Sequence, residues 1–457
     1  MRIESQKIES LLNGGPASRG EAAGVLKKAG EAKGLALEEA AVLLRAQGPE
    51  LVETVCRKAG EVKERVFGKR VVLFAPLYLS NFCTNGCLYC GFRSANKTFA
   101  RKALSTEEAV NEAVALTQMG FKRVLLVTGE DPRWGLDYLI ACVRGIYEKT
   151  GMRIIHVNAP PMEVDGFREL RKAGVGVYQA FQETYHEQTY EKMHPWGNKK
   201  AFAFRLGVMD RALSAGFEDV GIGALLGLYD YRFEILSCIA HSQYLYERYG
   251  THAHTVSVPR LRPAEGGALV APPCPVSDDE FKKAVAVLRL SVPTAGVVVS
   301  TRESAELRTA LIRAGASQLS AASRTNPGGY TSARQTLEQF STNDHRTLAE
   351  VMASIVREGS LPSLCTSCYR SGRVGSNFTE KTIKGEMERL CHANAILTLK
   401  EYIADRKLHP RHSKNGMSGI FEGALAVAIE EIKDEAMKRA VLEKLKELEN
   451  GKRDLFF

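Results

Sequence analysis

Eight short runs rich in β-branched residues, each followed by a segment of helical period, constrain what this chain can fold into. The runs cover 71–75, 123–127, 153–157, 175–181, 219–224, 254–258, 296–300 and 317–321. Helix-period segments lie between them at 106–119, 167–173, 202–215, 231–249, 278–290 and 305–314. Two of these open with Ser-x-x-Glu, Ser105 with Glu108 and Ser277 with Glu280, a pattern that satisfies orphan amides at a helix start. Strands that alternate with helices need crossover connections and therefore a parallel sheet. Eight such units over roughly 270 residues predict an α/β fold, a TIM-type (β/α)8 barrel. A doubly wound open sheet is the alternative. Residues 1–70 carry apolar positions at helical intervals, broken at Gly14, Gly15 and Pro16, and are expected to be a helical extension serving as packing and lid. The expected division is therefore 1–70 helical extension, 71–340 barrel and 341–457 a mainly helical domain.

Chemistry in a barrel of this kind belongs at the carboxyl ends of the strands, and unusual residues collect there. After the first run, Cys83, Cys87 and Cys90 stand with three and then two residues between them, with Tyr89 inside the motif and Phe92 behind it. Three thiolates on one loop can hold three irons of a 4Fe–4S cluster and leave the fourth iron without a protein ligand. A zinc knuckle is the alternative and wants a further Cys or His nearby. Apart from the trio, none occurs between Cys56 and Cys142. Gly129 and Glu130 follow the second run, Asn158 the third, and Gln182, Glu183 and His186 the fourth. Gly221 and Gly223 in the fifth are small enough for an adenine to approach the backbone. His254 opens the sixth, Arg302 and Glu303 end the seventh, and Ser320 lies in the eighth with Ser323, Arg324 and Thr325 beyond it. Taken singly, Arg302 and Glu303 read as a surface ion pair and His254 as a hydrogen-bonded core histidine. Taken together at one barrel mouth they read as a site.

A second cysteine group lies further on. Cys365 and Cys368 have two residues between them, and Cys391 follows after a gap of 22. A zinc site with His392 as fourth ligand is the alternative here.

The motif at Cys83 resembles the signature of the radical S-adenosylmethionine (SAM) enzymes. With the second trio, the chain from about 71 to 405 resembles the HydG/ThiH family of tyrosine lyases. The resemblance rests on Leu73-Phe-Ala-Pro-Leu-Tyr-Leu-Ser-Asn, Gly129-Glu-Asp-Pro, Phe181-Gln-Glu-Thr-Tyr-His, Gly227-Leu-Tyr-Asp-Tyr and His254-Thr-Val-Ser-Val-Pro-Arg. The thiamine-pathway branch shares the barrel motifs but lacks the second trio, so the likeness falls on the branch that matures FeFe-hydrogenase. The resemblance implies that Cys83, Cys87 and Cys90 bind the SAM cluster, and that Gly129, Glu130, Glu183, Gly221 and Gly223 serve SAM. Ser320 and Arg324 would hold the substrate carboxylate. Cys365, Cys368 and Cys391 would bind an auxiliary 4Fe–4S cluster carrying an extra iron, bridged by free cysteine and ligated by His254, with His252 two residues away as the rival. L-Tyrosine would be cut at Cα–Cβ to p-cresol and dehydroglycine, and the latter turned into CO and cyanide. A low-potential donor, flavodoxin or ferredoxin, and other hydrogenase maturation proteins are the partners it implies. The chain departs from the family pattern at Val127-Thr128, at Val157-Asn-Ala-Pro-Pro, at Ala322 where the family has Gly, and at Asn326-Pro327. A different amino acid as substrate, or a reaction that stops at dehydroglycine, is therefore the alternative within the family. A non-catalytic iron–sulfur carrier is the alternative of another class.

Composition narrows the setting. At 457 residues with 44% hydrophobic and 25% charged residues, the chain is of globular type. No apolar run reaches the roughly 18–20 residues of a membrane span. The first residues lack the apolar core of a secretory signal, so ten cysteines read as ligands in a reducing, cytoplasmic setting. The net charge of +9 is dispersed and does not form the stripe that nucleic acid requires.

Overall fold

The computed structural model describes residues 1–98, 100–332, 338–408 and 417–457. Eight parallel strands close into a barrel: β1 (Arg70–Ser80), β2 (Arg123–Thr128), β3 (Ile154–Asn158), β4 (Val175–Gln179), β5 (Asp219–Gly223), β6 (Thr255–Ser257), β7 (Gly296–Val299) and β8 (Gln318–Ser320). Closure is made by β1, which pairs Ala75–Ser80 with β2 and Val72–Phe74 with β8. The TIM-type barrel expected from the alternation is the observed fold. A ninth strand, β9 (Leu361–Ser363), adds to the start of β1 at Arg70–Val72. The sequence reading missed it because three residues with Pro362 at their centre carry no strand period. It also ended β1 at 75, since Pro76 hides a strand that runs on to Ser80.

Helices Thr106–Met119 and Tyr231–Tyr249 have the expected bounds. Both Ser-x-x-Glu signatures form full capping boxes. The helix expected over 202–215 is two, Phe202–Leu206 and Val208–Ser214, parted at Gly207. The four N-terminal helices do not form a lid. Helix Pro49–Phe67 lies along helices Asp278–Ser291 and Ala305–Arg313 on the outside of the barrel, so close at Gly60 that a Cβ there would stand 2.4 Å from the Arg313 carbonyl oxygen. C-terminal helix Met387–Leu408 packs on β9 and on Pro49–Phe67, and carries helices Ser418–Glu430 and Glu435–Glu449 on its far side. Buried side chains from Ile8 to Leu448 form one continuous apolar core. Among the described residues no helix is long and apolar enough to cross a membrane.

Two buried titratable side chains hold the frame. The Arg289 guanidinium, wholly inaccessible, donates to the carbonyls of Gly315, Pro293 and Ala295 and to the Ser317 hydroxyl, fixing the approaches to β7 and β8. Glu234 accepts from the Thr184 hydroxyl and from the Tyr185 amide at 2.8 Å, pinning the turn that follows Glu183. Burial raises the Glu234 carboxyl from 4.5 to about 8. The folded chain therefore keeps this proton where the unfolded chain releases it. The stability it contributes is complete below about pH 4.5 and is lost as pH rises through about 8. Glu234→Gln keeps one donor and one acceptor in place, so it is expected to flatten the pH dependence of unfolding free energy across that window. Denaturant melts at several pH values check this; an unchanged slope contradicts it.

Ala322, just past β8, has φ of +49°, in the left-handed region. That conformation costs a residue with a Cβ roughly 1–2 kcal/mol, while glycine adds about 0.4–1 kcal/mol of unfolded-state entropy. Ala322→Gly is thus expected to stabilise the fold by up to about 1 kcal/mol. A measured loss of stability would show that the loop does not need this conformation.

Candidate functional site

The carboxyl ends of the strands surround a cavity lined by Cys83, Cys87 and Cys90. Their loop leaves β1 and is strapped on all sides. Thr84 N donates to the Glu130 carbonyl, Gly86 N to the Trp196 carbonyl, Leu88 N to the Met193 carbonyl and Gly91 N to the Gln339 carbonyl. The Trp196 ring lies so close over Gly86 that a Cβ there would be 2.4 Å from it, and Trp134 packs against Phe82 at 6.0 Å. Amide groups face two of the sulfurs: Asn85 Nδ2 is 3.6 Å from Cys83 Sγ, and Gln339 Nε2 is 3.6 Å from Cys90 Sγ. Burial pushes the Cys87 thiol up to about 12 and raises Cys90 as well. Buried thiols that resist ionisation become thiolates when a cationic centre takes the proton's place. Three of them on one loop, with amide donors at the sulfurs, fit an iron–sulfur cluster.

The elements around the loop are keyed to it. Gly129 has no room for a side chain because the Phe82 carbonyl oxygen would be 2.1 Å from its Cβ. Glu130 then accepts from Asn85 Nδ2 at 2.7 Å, which ties the acid after β2 to the cysteine loop. Glu183, at φ +72°, turns its carboxylate onto Lys199 Nζ at 2.6 Å, with Arg205 at 3.9 Å. Burial raises its pKa, yet these two cations hold it below the usual carboxylate value. The Tyr89 hydroxyl lies 2.8 Å from His194 Nε2, and His194 Nδ1 lies 2.8 Å from the Tyr190 carbonyl.

Deeper in the cavity, Ser320 Oγ accepts from Thr301 N at 3.2 Å. Ser323 Oγ and Arg302 Nε are buried atoms without hydrogen-bond partners among the described residues. The Arg302 guanidinium lies 3.5 Å from the centre of the Phe340 ring. Several expectations are corrected here. Arg324 is exposed and outside the cavity lining, and its backbone N–H donates to the Tyr330 hydroxyl. Arg302 and Glu303 are not a surface pair, since Glu303 is buried between Arg260 and Arg262 and Arg302 faces the cavity. Gly221 and Gly223 do not line the cavity. A Cβ at Gly221 would strike Thr255 and Gln179, and one at Gly223 would strike the Ser257 carbonyl and Phe181, so close strand packing explains both glycines.

His254 is not at this mouth. It immediately precedes β6, so it sits at the amino end of the barrel beside Cys365, Cys368 and Cys391. The Tyr369 hydroxyl is 2.9 Å from its Nε2, and Asp219 Oδ1 is 3.3 Å from its Nδ1. His252 is turned elsewhere, with Nδ1 3.2 Å from the Ser242 carbonyl and its ring stacked on Tyr246. His392 points at the Ala428 carbonyl, 2.8 Å away. Burial raises the Cys391 and Cys368 thiols, against the pull of the nearby positive charges of Arg70 and Arg373. Three thiols, Cys391 buried and Cys365 and Cys368 half-buried, beside fixed cations fit a second anionic cluster. Cys56, Cys142 and Cys238 are buried in the core and Cys274 is half-buried. Sequence reasoning overlooked Lys199, Arg205, Tyr369 and Gln339. Only the stretch His194-Pro-Trp-Gly before Lys199 offered a signal, as a Pro- and Gly-bearing turn after the fourth unit.

The sequence profile of the Radical SAM superfamily matches residues 77–236, and that of the Biotin and Thiamin Synthesis associated domain matches 257–360. The 2-iminoacetate synthase of Escherichia coli (strain K12) is 34% identical over 345 residues, covering 75% of this chain and 90% of that protein. A crystal structure of HydG, described as a maturase of the [FeFe]-hydrogenase, superposes with a TM-score of 0.94 at 40% identity, over 100% of this chain and 99% of that one. HydG from Carboxydothermus hydrogenoformans gives a TM-score of 0.84 at 39% identity, over 96% of this chain and 97% of that one. The chain belongs to the radical SAM enzyme family of HydG and 2-iminoacetate synthase, whose chemistry runs on S-adenosylmethionine and a 4Fe–4S cluster.

Proposed function

We propose that this chain is a radical SAM lyase that cleaves L-tyrosine to p-cresol and dehydroglycine, and that CO and cyanide for FeFe-hydrogenase maturation form from the latter at the second cysteine trio. The observation that carries this reading is a single cavity lined both by three thiols of one loop and by a guanidinium whose Nε has no hydrogen-bond partner among the described residues. A cluster carrier needs the thiols but has no use for the guanidinium. When bound, the cluster at Cys83, Cys87 and Cys90 and its SAM supply a 5′-deoxyadenosyl radical, and a cluster at Cys365, Cys368 and Cys391 supplies iron for the diatomic products.

The chain's own residues bind and orient. Asn85 and Glu130 form one hydrogen-bonded unit beside the open side of the first trio, suited to an ammonium group such as that of SAM. Tyr89, held by His194, is a fixed aromatic at the same end. Arg302 replaces Arg324 as the clamp for the substrate carboxylate, because it is half-buried, lines the cavity and has its guanidinium on the Phe340 ring. Ser320 and Ser323 stand within the same wall as partners for the amino-acid head, and Phe74, Tyr78 and Phe181 provide an apolar wall for a phenol ring. Enclosure in the barrel keeps water and competing hydrogen donors away. At the other end, His254 presents a ring nitrogen beside the second trio, with Asp219 behind it to orient the ring. Reducing, cytoplasmic conditions and a low-potential flavodoxin or ferredoxin complete the setting.

Two outcomes test this. Arg302→Lys replaces a planar fork by a point charge, at a cost on the order of 1.5–3 kcal/mol, so the tyrosine concentration for half-maximal p-cresol release should rise roughly ten- to over a hundred-fold. Arg324→Lys should shift it less than about twofold. If the wild-type chain releases 5′-deoxyadenosine but no p-cresol from tyrosine, the substrate is another amino acid. Replacing Cys365 and Cys368 by Ala should abolish CO while p-cresol release continues, measured side by side by carboxymyoglobin absorbance and chromatography. Loss of both products in a folded variant contradicts the division between the two trios.

A further inference from the structure

Gln339 touches both the cysteine loop and the wall of the substrate chamber. Its side-chain N–H donates to Cys90 Sγ at 3.6 Å, while its Oε1 accepts from the Tyr78 hydroxyl at 2.7 Å. Its backbone N donates to the Thr325 carbonyl at 3.0 Å, and its carbonyl accepts from Gly91 N at 3.1 Å. The sulfur, which as a metal ligand can only accept, fixes the orientation of the amide. A flipped amide would set a carbonyl oxygen against the lone pairs of a ligating sulfur.

The next residue, Phe340, carries the Arg302 guanidinium on its ring. Beyond it Asn343 and Asp344 donate their backbone N–H groups to the Thr301 carbonyl at 2.8 and 3.1 Å, and Asn343 Nδ2 donates to the Arg302 carbonyl at 2.9 Å. Asp344 is buried and paired with Arg308 and Arg346. Residues 339–344 are thus a short strap with Cys90 at one end and the Arg302 backbone at the other.

We propose that Gln339 is a positioning residue that sets the potential of the cluster at Cys83, Cys87 and Cys90 and passes occupancy of the substrate chamber to it. An N–H donated to a ligating sulfur stabilises the added electron and raises the reduction potential. A carboxylate on Arg302 loads the guanidinium that rests on Phe340, and Phe340 is covalently next to Gln339. A change at the substrate carboxylate therefore reaches the N–H···Sγ contact through one packed ring and one peptide. The inference rests on the first trio holding a cluster.

The test is a redox titration of the full, cluster-loaded chain, followed by electron paramagnetic resonance of the signal that changes on adding SAM, with and without tyrosine. Gln339→Met keeps the volume and loses the donor. Gln339→Glu keeps the acceptor for Tyr78 and loses the N–H, so the strap retains its anchor. Both variants are expected to titrate at a lower potential than wild type and to lose the shift that tyrosine causes in wild type, while the signal that ignores SAM stays where it was. Variants that titrate with the wild-type potential, or a wild-type potential indifferent to tyrosine, overturn the inference alone. A wild-type chain with no SAM-responsive signal overturns the reading of the first trio, and this inference with it.

Discussion

β1 has to satisfy three neighbours at once, and the rest of the molecule is arranged around that requirement. Its middle closes the barrel against β8, its upper half bonds β2, and its first residues bond β9. An ordinary barrel strand of five or six residues could not do this; β1 has 11. The extra length carries the chemistry. Past Ser80 the chain turns into the loop of Cys83, Cys87 and Cys90, while Arg70 at the other end lines the same pocket as Cys391 and β9 leads directly into Cys365. At about 3.3 Å per residue the two ends stand roughly 33 Å apart. Two groups of thiols that would repel each other on one face are separated by the whole height of a packed barrel.

Charge within the barrel falls into two kinds. Glu303 between Arg260 and Arg262, Asp344 between Arg308 and Arg346, and Arg289 among carbonyls are closed sets that cement loops to strands. Buried charges are tolerable on those terms, because each lost water is replaced by a fixed partner. Around the cavity the sets are left open. Glu183 has Lys199 and Arg205, one cation more than it needs, and Arg302 has an aromatic face with a buried Nε that bonds nothing among the described residues. The surplus is positive, which suits an anionic substrate and a negatively charged cluster.

The alternation of strands and helices was legible because parallel strands buried on both faces leave continuous β-branched runs, and all eight began within one residue of their observed starts. Length was harder to read where proline intervened, as at Pro76 in β1 and Pro362 in β9. Site residues attached directly to strand ends, such as Gly129, Glu130 and Ser320, could be placed at the mouth from their position alone. Those delivered by loops could not. Lys199 comes back from beyond a helix and Gln339 from beyond the last barrel strand, and no period in the sequence reports such a return. His254 was put at the wrong end because the first residue of a strand and the last look alike until the direction of the strand is counted. The glycines of β5 show the same limit: smallness was visible, but what fills the space was not.

The chain has two tryptophans, and both lie against the first cysteine loop, Trp134 beside Phe82 and Trp196 over Gly86. Indole emission from this protein is therefore local in origin although measured on the whole chain. Iron–sulfur chromophores absorb across the indole emission band, so a cluster assembling on that loop would darken both fluorophores together, whereas one assembling at the far end of β1 would leave them comparatively bright. The fold has thereby placed an optical gauge on one of its two cysteine trios, readable without any label.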